Sequence, residues 1–180
     1  MSEPVMSGSI HLGYADGASR HTWNLASTAW VIYSPSGQLL SSGGSCLGPT
    51  TNNLAEYSSV IELLVDAIHH GIDHLVIRLD SQLVVSQLNG IYSIRNPILL
   101  RKYLRIKLLE RQFQFTYEHI PRHLNHVSNT LENYVLDWNL RHNPWKKIVH
   151  MAKINIKTAK CIYIYIQKVC QNEQWNDSTV

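Results

Sequence analysis

Three β-rich runs crowd into the first 48 residues, with short polar breaks between them. Residues 9–16 alternate and end in Asp16-Gly17, which predicts a strand followed by a turn. Residues 22–33, TWNLASTAWVIY, are dense in β-formers; Pro35-Ser36-Gly37 breaks the run and QLLSSGGSCLG resumes it. The three read as an antiparallel meander joined by tight turns. The period then changes. Thr50 to Asn53 form a cap-like cluster. LAEYSSVIELLVDAIHHG follows, with apolar residues at helical spacing (Leu54, Tyr57, Ile61, Leu64, Val65, Ile68) and Gly71 as its stop. HLVIRLD, short and β-branched, predicts a strand buried on both faces. SQLVVSQLNG predicts a short helix ending at Asn89-Gly90. Pro97 suits the first turn of the next, ILLRKYLRIKLLERQ, whose apolar set is Ile98, Leu99, Tyr103, Ile106 and Leu109. FQFTYEHI alternates as a strand that Pro121 ends, and a final helix is expected from about Asn125 to Leu140. The order βββαβααβα predicts an α/β fold, a mixed sheet with helices on it.

Composition adds limits. At 180 residues the chain can build one domain with a real core, and its 44% apolar and 16% charged content is that of a globular protein. The net charge of +3 permits a polyanionic partner without requiring one. Cys46, Cys161 and Cys170 are too few and too scattered for a disulfide framework or a zinc site. MSEPVMSGS lacks a basic-then-apolar leader, and no apolar stretch approaches the roughly 20 residues that span a bilayer. The expectation is a soluble intracellular monomer with no membrane partner; cytoplasm and nucleus stay open. Beyond residue 141 the texture turns lysine- and isoleucine-rich. We expect one domain over residues 9–141 and a C-terminal extension over 142–180, in which CIYIYI reads either as a strand or as an unpacked tail.

Four polar positions fall where elements begin or end: Asp16 in HLGYADGAS, Glu56 in TTNNLAEY, Asp80 in HLVIRLDSQ and Asn129 in IPRHLNHVSNTLEN. Each has an ordinary explanation. Asp16 precedes a glycine and suits a turn, Glu56 fits a capping box, Asp80 could cap the next helix, and Asn129 could be solvated surface. Together, on one α/β sheet, they would form a cluster of hard oxygen ligands. Mg²⁺ prefers such ligands, and paired Mg²⁺ ions serve in-line phosphodiester hydrolysis.

The order YADGAS, TTNNLAEY, LDSQLVV and HIPRHLN resembles the ribonuclease H family over roughly residues 9–140, and most of all its reverse-transcriptase-associated members in plants and retroelements. The resemblance implies a five-stranded mixed sheet of order 3-2-1-4-5 and a metal-dependent endonuclease. Such an enzyme cuts the RNA strand of RNA–DNA hybrids with two Mg²⁺ ions, Mn²⁺ substituting, and leaves 5′-phosphate and 3′-hydroxyl ends. It implies Asp16, Glu56, Asp80 and Asn129 as metal ligands, with Asn129 standing where the family usually has aspartate. It implies His119 as a mobile histidine assisting proton transfer or product release, and Asn52, Asn53 and Gln82 as hybrid contacts. A polymerase domain in a parent polyprotein is a further partner it suggests. The helix carrying Arg101, Lys102 and Arg105 resembles the family's basic hybrid-binding protrusion; its charges would track phosphates without reading bases. An amide at 129 leaves three formal charges rather than four, so weaker metal binding is expected. The alternatives are a hybrid- or RNA-binding module with weakened or lost catalysis, and another nuclease or transposase of the same broad fold.

Overall fold

A computed structural model of the chain describes residues 9–20, 25–128, 130, 131 and 135. The first three strands form the expected meander: β1 (His11–Arg20), β2 (Leu25–Tyr33) and β3 (Leu39–Gly48) pair antiparallel in turn. After them come α1 (Asn52–His69), β4 (His74–Leu79), α2 (Gln82–Leu88), α3 (Pro97–Leu109) and β5 (Gln114–His119). β4 lies parallel to β1 and β5 parallel to β4, which places β1 at the centre of a five-stranded sheet of order β3-β2-β1-β4-β5. Parallel neighbours need long crossovers, and the helices supply them. The mixed α/β sheet and its strand order are therefore as expected.

Local chemistry sets the helix ends. Thr51 caps α1, its Oγ1 accepting from the Leu54 N–H at 3.3 Å. At the other end Gly71 adopts φ +64°, and the Ile72 N–H donates back to Ala67 C=O at 3.1 Å. Ile72 is buried, so an apolar contact accompanies this left-handed stop. Asn96 caps α3 through two backbone N–H groups, with Pro97 in the first turn.

The core lies between α1 and the sheet. Tyr57, Leu63 and Leu64 of α1 meet Leu75, Ile77 and Leu79 of β4, and α3 adds Leu99 and Ile106. Each fully buried large side chain contributes roughly 1.5–3 kcal/mol. The Tyr57 hydroxyl donates to Gln87 Oε1 at 2.9 Å, which satisfies its polar tip and ties α1 to α2.

Several local expectations are corrected. β1 does not turn at Asp16-Gly17; it runs on to Arg20, still paired with β2. Gly17 serves a close helix approach instead. β4 is not buried on both faces. Leu75, Ile77 and Leu79 point into the core, while Arg78 lies on the other face and donates to the Tyr14 hydroxyl and to Glu118 Oε2, each at 3.0 Å. A charged residue inside an apolar run marks this one-sided strand. On α1 the buried face includes Val60, Leu63 and Ala67, and Val65 is 45% exposed. On α3 only Leu99 and Ile106 are buried; Tyr103 and Leu109 are partly so and Ile98 is exposed. Of the final helix, residues 126–128, 130, 131 and 135 are helical. The expected boundary near 141 and the 142–180 extension lie outside the described residues. Among those described, no helix is long and apolar enough to cross a membrane.

Candidate active site

The fold brings the C-terminal part of β1, the end of β4 and the first turns of α1 to one place. Asp16 sits on β1 two residues beyond Tyr14–Arg78, the last pair of the β1–β4 ladder. Asp80 follows Leu79, the last residue of β4. Asp80 does not cap the next helix: that cap is Ser81, whose side chain accepts from the Val84 N–H. Thr51 caps α1, which makes Leu54 and not Glu56 the third helical residue, so Glu56 cannot complete a capping box. Both carboxylates are released from the ordinary duties that sequence alone allowed them.

One oxygen from each of Asp16, Glu56 and Asp80 lies within 4.8 Å of the others. Asp16 is 3% exposed and Glu56 9%. At that spacing two ionised carboxylates repel by roughly 3–4 kcal/mol at an effective dielectric of about 20. The cluster is therefore costly by itself. Glu56 shows the cost: its carboxyl is held well above the usual glutamate value, first by burial, then by the charges of Asp16 and Asp80. A hydrogen bond from the Gly17 backbone and the charge of Arg122 only partly oppose this. Glu56 Oε2 is buried with no hydrogen-bond partner among the described residues. Three clustered carboxylates, one of them with an orphaned oxygen, match what a hard divalent cation needs.

This arrangement makes stability depend on pH. Glu56 has a raised folded value, so above its ordinary value of 4.5 the folded protein holds a proton that the unfolded chain has lost. Stability then falls as pH rises from about 4.5 through the raised value. We expect metal-free protein to show this decline in urea unfolding, and Glu56→Gln to flatten it. Equal slopes in the two proteins would contradict the assignment.

The cleft around the carboxylates is lined also by Gly17, Ala18, Asn52, Asn53, Ser81 and Arg122. Asn52 joins α1 to β1, its Oδ1 accepting from the Ser19 N–H at 2.6 Å. Gln82 is exposed at the start of α2, its Nε2 donating to Ser86 Oγ at 3.1 Å. His119 is exposed at the end of β5, in register with Leu79 and so beside the strand end that carries Asp80. Arg101 and Arg105 stand exposed on α3, outside the cleft lining. Lys102 turns inward, its Nζ donating to Ser58 Oγ at 2.8 Å, and burial lowers its pKa with help from the Arg105 charge. Asn129 lies outside the described residues.

Two residues escaped the sequence reading. Arg122 reaches the cleft from the loop after β5; its only signal was a basic residue directly after Pro121. Asn125 is 1% exposed, and its Nδ2 donates to Ala15 C=O at 3.1 Å and to Asp80 Oδ1 at 3.4 Å. It ends the HIPRHLN run on which the resemblance was drawn, but nothing local announces its burial or its partners.

The chain is similar to known proteins in sequence and in fold. Residues 14–135 match the model of the family described as reverse transcriptase-like. A ribonuclease HI of Halobacterium salinarum is 38% identical over 136 residues, which span 75% of this chain and 68% of the relative. A bifunctional protein of Mycobacterium tuberculosis is 34% identical over 125 residues, but the match spans only 34% of that protein's length. The crystal structure of the Halobacterium enzyme superposes with a TM-score of 0.68, covering 71% of this chain and 98% of that one. An RNase H1 isolated from compost, solved in complex with an RNA/DNA hybrid, superposes with a TM-score of 0.69 at 31% identity, covering 72% of this chain and 99% of that one. The chain thus belongs to the ribonuclease H family of hydrolases.

Proposed function

We propose that this chain cuts the RNA strand of RNA–DNA hybrids with the help of two divalent cations, Mg²⁺ by preference and Mn²⁺ as substitute. The observation that carries the reading is the convergence of Asp16, Glu56 and Asp80 within 4.8 Å. The hybrid held by the compost enzyme supports the choice of substrate. Asp16, Glu56 and Asp80 would hold the cations, with Asn129 offering an amide oxygen at the family's fourth position. When bound, such ions polarise the phosphodiester and its attacking water, giving 5′-phosphate and 3′-hydroxyl ends.

The chain's own groups do the rest. His119, exposed beside the β4 end, would move a proton through an imidazole nitrogen. Asn52 and Asn53 line the cleft, and Gln82 follows the lining residue Ser81; their amides suit the 2′-hydroxyls and groove shape by which a hybrid is sensed. Arg122 sets a positive charge at the cleft. Arg101 and Arg105 remain available for phosphates further along. Association with a reverse-transcriptase polymerase is part of the proposal; a part of the foamy-virus protease–reverse transcriptase, 22% of that chain, has the same fold.

Two results are expected. Replacing Arg101 and Arg105 by glutamine weakens hybrid binding and reduces the slope of log affinity against log salt by about 1.5–2, with cleavage at saturation retained. Lys102→Gln alters this slope little, because its ammonium is turned onto Ser58. Asn129→Asp restores a fourth negative charge and lowers half-saturating Mg²⁺ roughly tenfold, equivalent to about 1.4 kcal/mol. No change on that substitution removes Asn129 from the ligand set.

The direct test is a substrate panel of hybrid, duplex RNA and duplex DNA, each with Mg²⁺ and with chelator. Metal-dependent cleavage confined to the hybrid's RNA strand is expected. Tight hybrid binding without cleavage would favour a binding module, for which the amide at 129 is the motive. Cleavage of duplex DNA would instead favour another nuclease of this fold.

A further inference from the structure

We infer that Asn125 is a positioning residue, which closes the open end of the β1–β4 seam and aims Asp80 at the metal. The inference rests on the reading above. Strands β1 and β4 share their last pair at Tyr14–Arg78. One residue further β4 ends at Leu79 while β1 runs on to Arg20, and Asp16 and Asp80 line one cleft beyond the last pair. Ala15 C=O and the Asp80 carboxylate therefore lie beyond the reach of the ladder. A single side chain serves both: Asn125 Nδ2 donates to Ala15 C=O at 3.1 Å and to Asp80 Oδ1 at 3.4 Å. Only an amide NH₂ does this well here, since it carries two N–H bonds on one small group, whereas an aspartate in its place has only acceptors.

The placement is rigid. Asn125 is 1% exposed, and its own N–H donates to Arg122 C=O at 3.0 Å, closing the short 3₁₀ turn after β5. Arg122 lines the same cleft, so this turn carries both residues to the site. The bond to Oδ1 restrains the rotation of the Asp80 carboxylate, which would then present its remaining acceptor capacity to a cation. Partners that orient a ligand in this way govern metal affinity through the ligand.

The test compares wild type with Asn125→Ala by calorimetric Mn²⁺ titration, thermal unfolding in chelator, and hybrid cleavage across Mn²⁺ concentrations. The inference expects the folded variant to bind Mn²⁺ about 10–100-fold more weakly. Its KM for the hybrid stays near wild type, and excess Mn²⁺ restores much of kcat. Wild-type Mn²⁺ affinity in the variant overturns the inference, even if the melting temperature drops, because that pattern is plain structural support. Should the alanine variant not fold, Asn125→Ser keeps one donor on a shorter side chain. It must still bind Mn²⁺ measurably more weakly, and wild-type affinity there is equally fatal. If wild type itself takes up no Mn²⁺, the functional reading fails as well, and the two failures are told apart.

Discussion

Asp16→Asn eliminates hybrid cleavage, by at least about a thousandfold, while making the metal-free protein more stable. The loss corresponds to roughly 4 kcal/mol of transition-state stabilisation. Asp16 lies on the central strand, 3% exposed, between the segments that carry Glu56 and Asp80. No neighbouring carboxylate can take its place without moving a strand. The stability gain has a separate cause. After burial, the Asp16 charge is the largest influence holding the Glu56 carboxyl high. Removing that charge relieves repulsion inside a buried cluster, which we put at about 1–2 kcal/mol. The melting temperature in chelator then rises by roughly 2–8 °C for a domain of this size. Opposite movements of activity and stability mark residues kept for function rather than for folding. A variant that loses both together would point to a structural aspartate.

Gly17→Ala is the most damaging single methyl group the structure identifies. A Cβ there would overlap the backbone of Ala55 and Glu56 in α1. Neither atom belongs to a flexible side-chain tip, so relief requires moving the helix or the strand. Neither moves easily, because Tyr57, Leu63 and Leu64 lock α1 into the core a few residues on. Overpacking against fixed backbone costs about 3 kcal/mol, the upper end of the usual range. That is a fall of roughly 6–12 °C in melting temperature. Activity falls further than stability alone accounts for, since the Gly17 backbone bonds the Glu56 carboxylate and α1 carries that residue. A melting temperature within a degree or two of wild type would show that the contact is looser than described.

These two residues show what the sequence made legible and what it hid. Asp16, Glu56 and Asp80 could be picked out because they stand in runs whose order a known family shows, although Asp16 proves to lie within β1 and not at its end. The element pattern gave a mixed sheet with helices on it, and the resemblance implied the strand order that the structure shows. Gly17 was misread as a turn, because Asp-Gly is a common turn pair and nothing local reveals a helix crossing over the strand. β4 was misjudged because a short apolar run does not say which face is covered, although Arg78 inside it was the available clue. Lys102 looked like another phosphate contact on a basic helix, but its inward turn onto Ser58 depends on where α3 docks against α1. Asn125, the last residue of HIPRHLN, was given no role for the same reason: its partners are 110 and 45 residues away in sequence. Tertiary partners of that kind are set by packing, and local pattern carries no trace of them.

Labelled RNA–DNA hybrid incubated with Mg²⁺ or Mn²⁺, comparing wild type with Asp80→Asn, tests the central claim most directly. The account predicts metal-dependent cuts in the RNA strand by wild type, ending in 5′-phosphate and 3′-hydroxyl groups, and none by Asp80→Asn at the same protein concentration. Cleavage that survives chelation, or an Asp80→Asn variant as active as wild type, would contradict it.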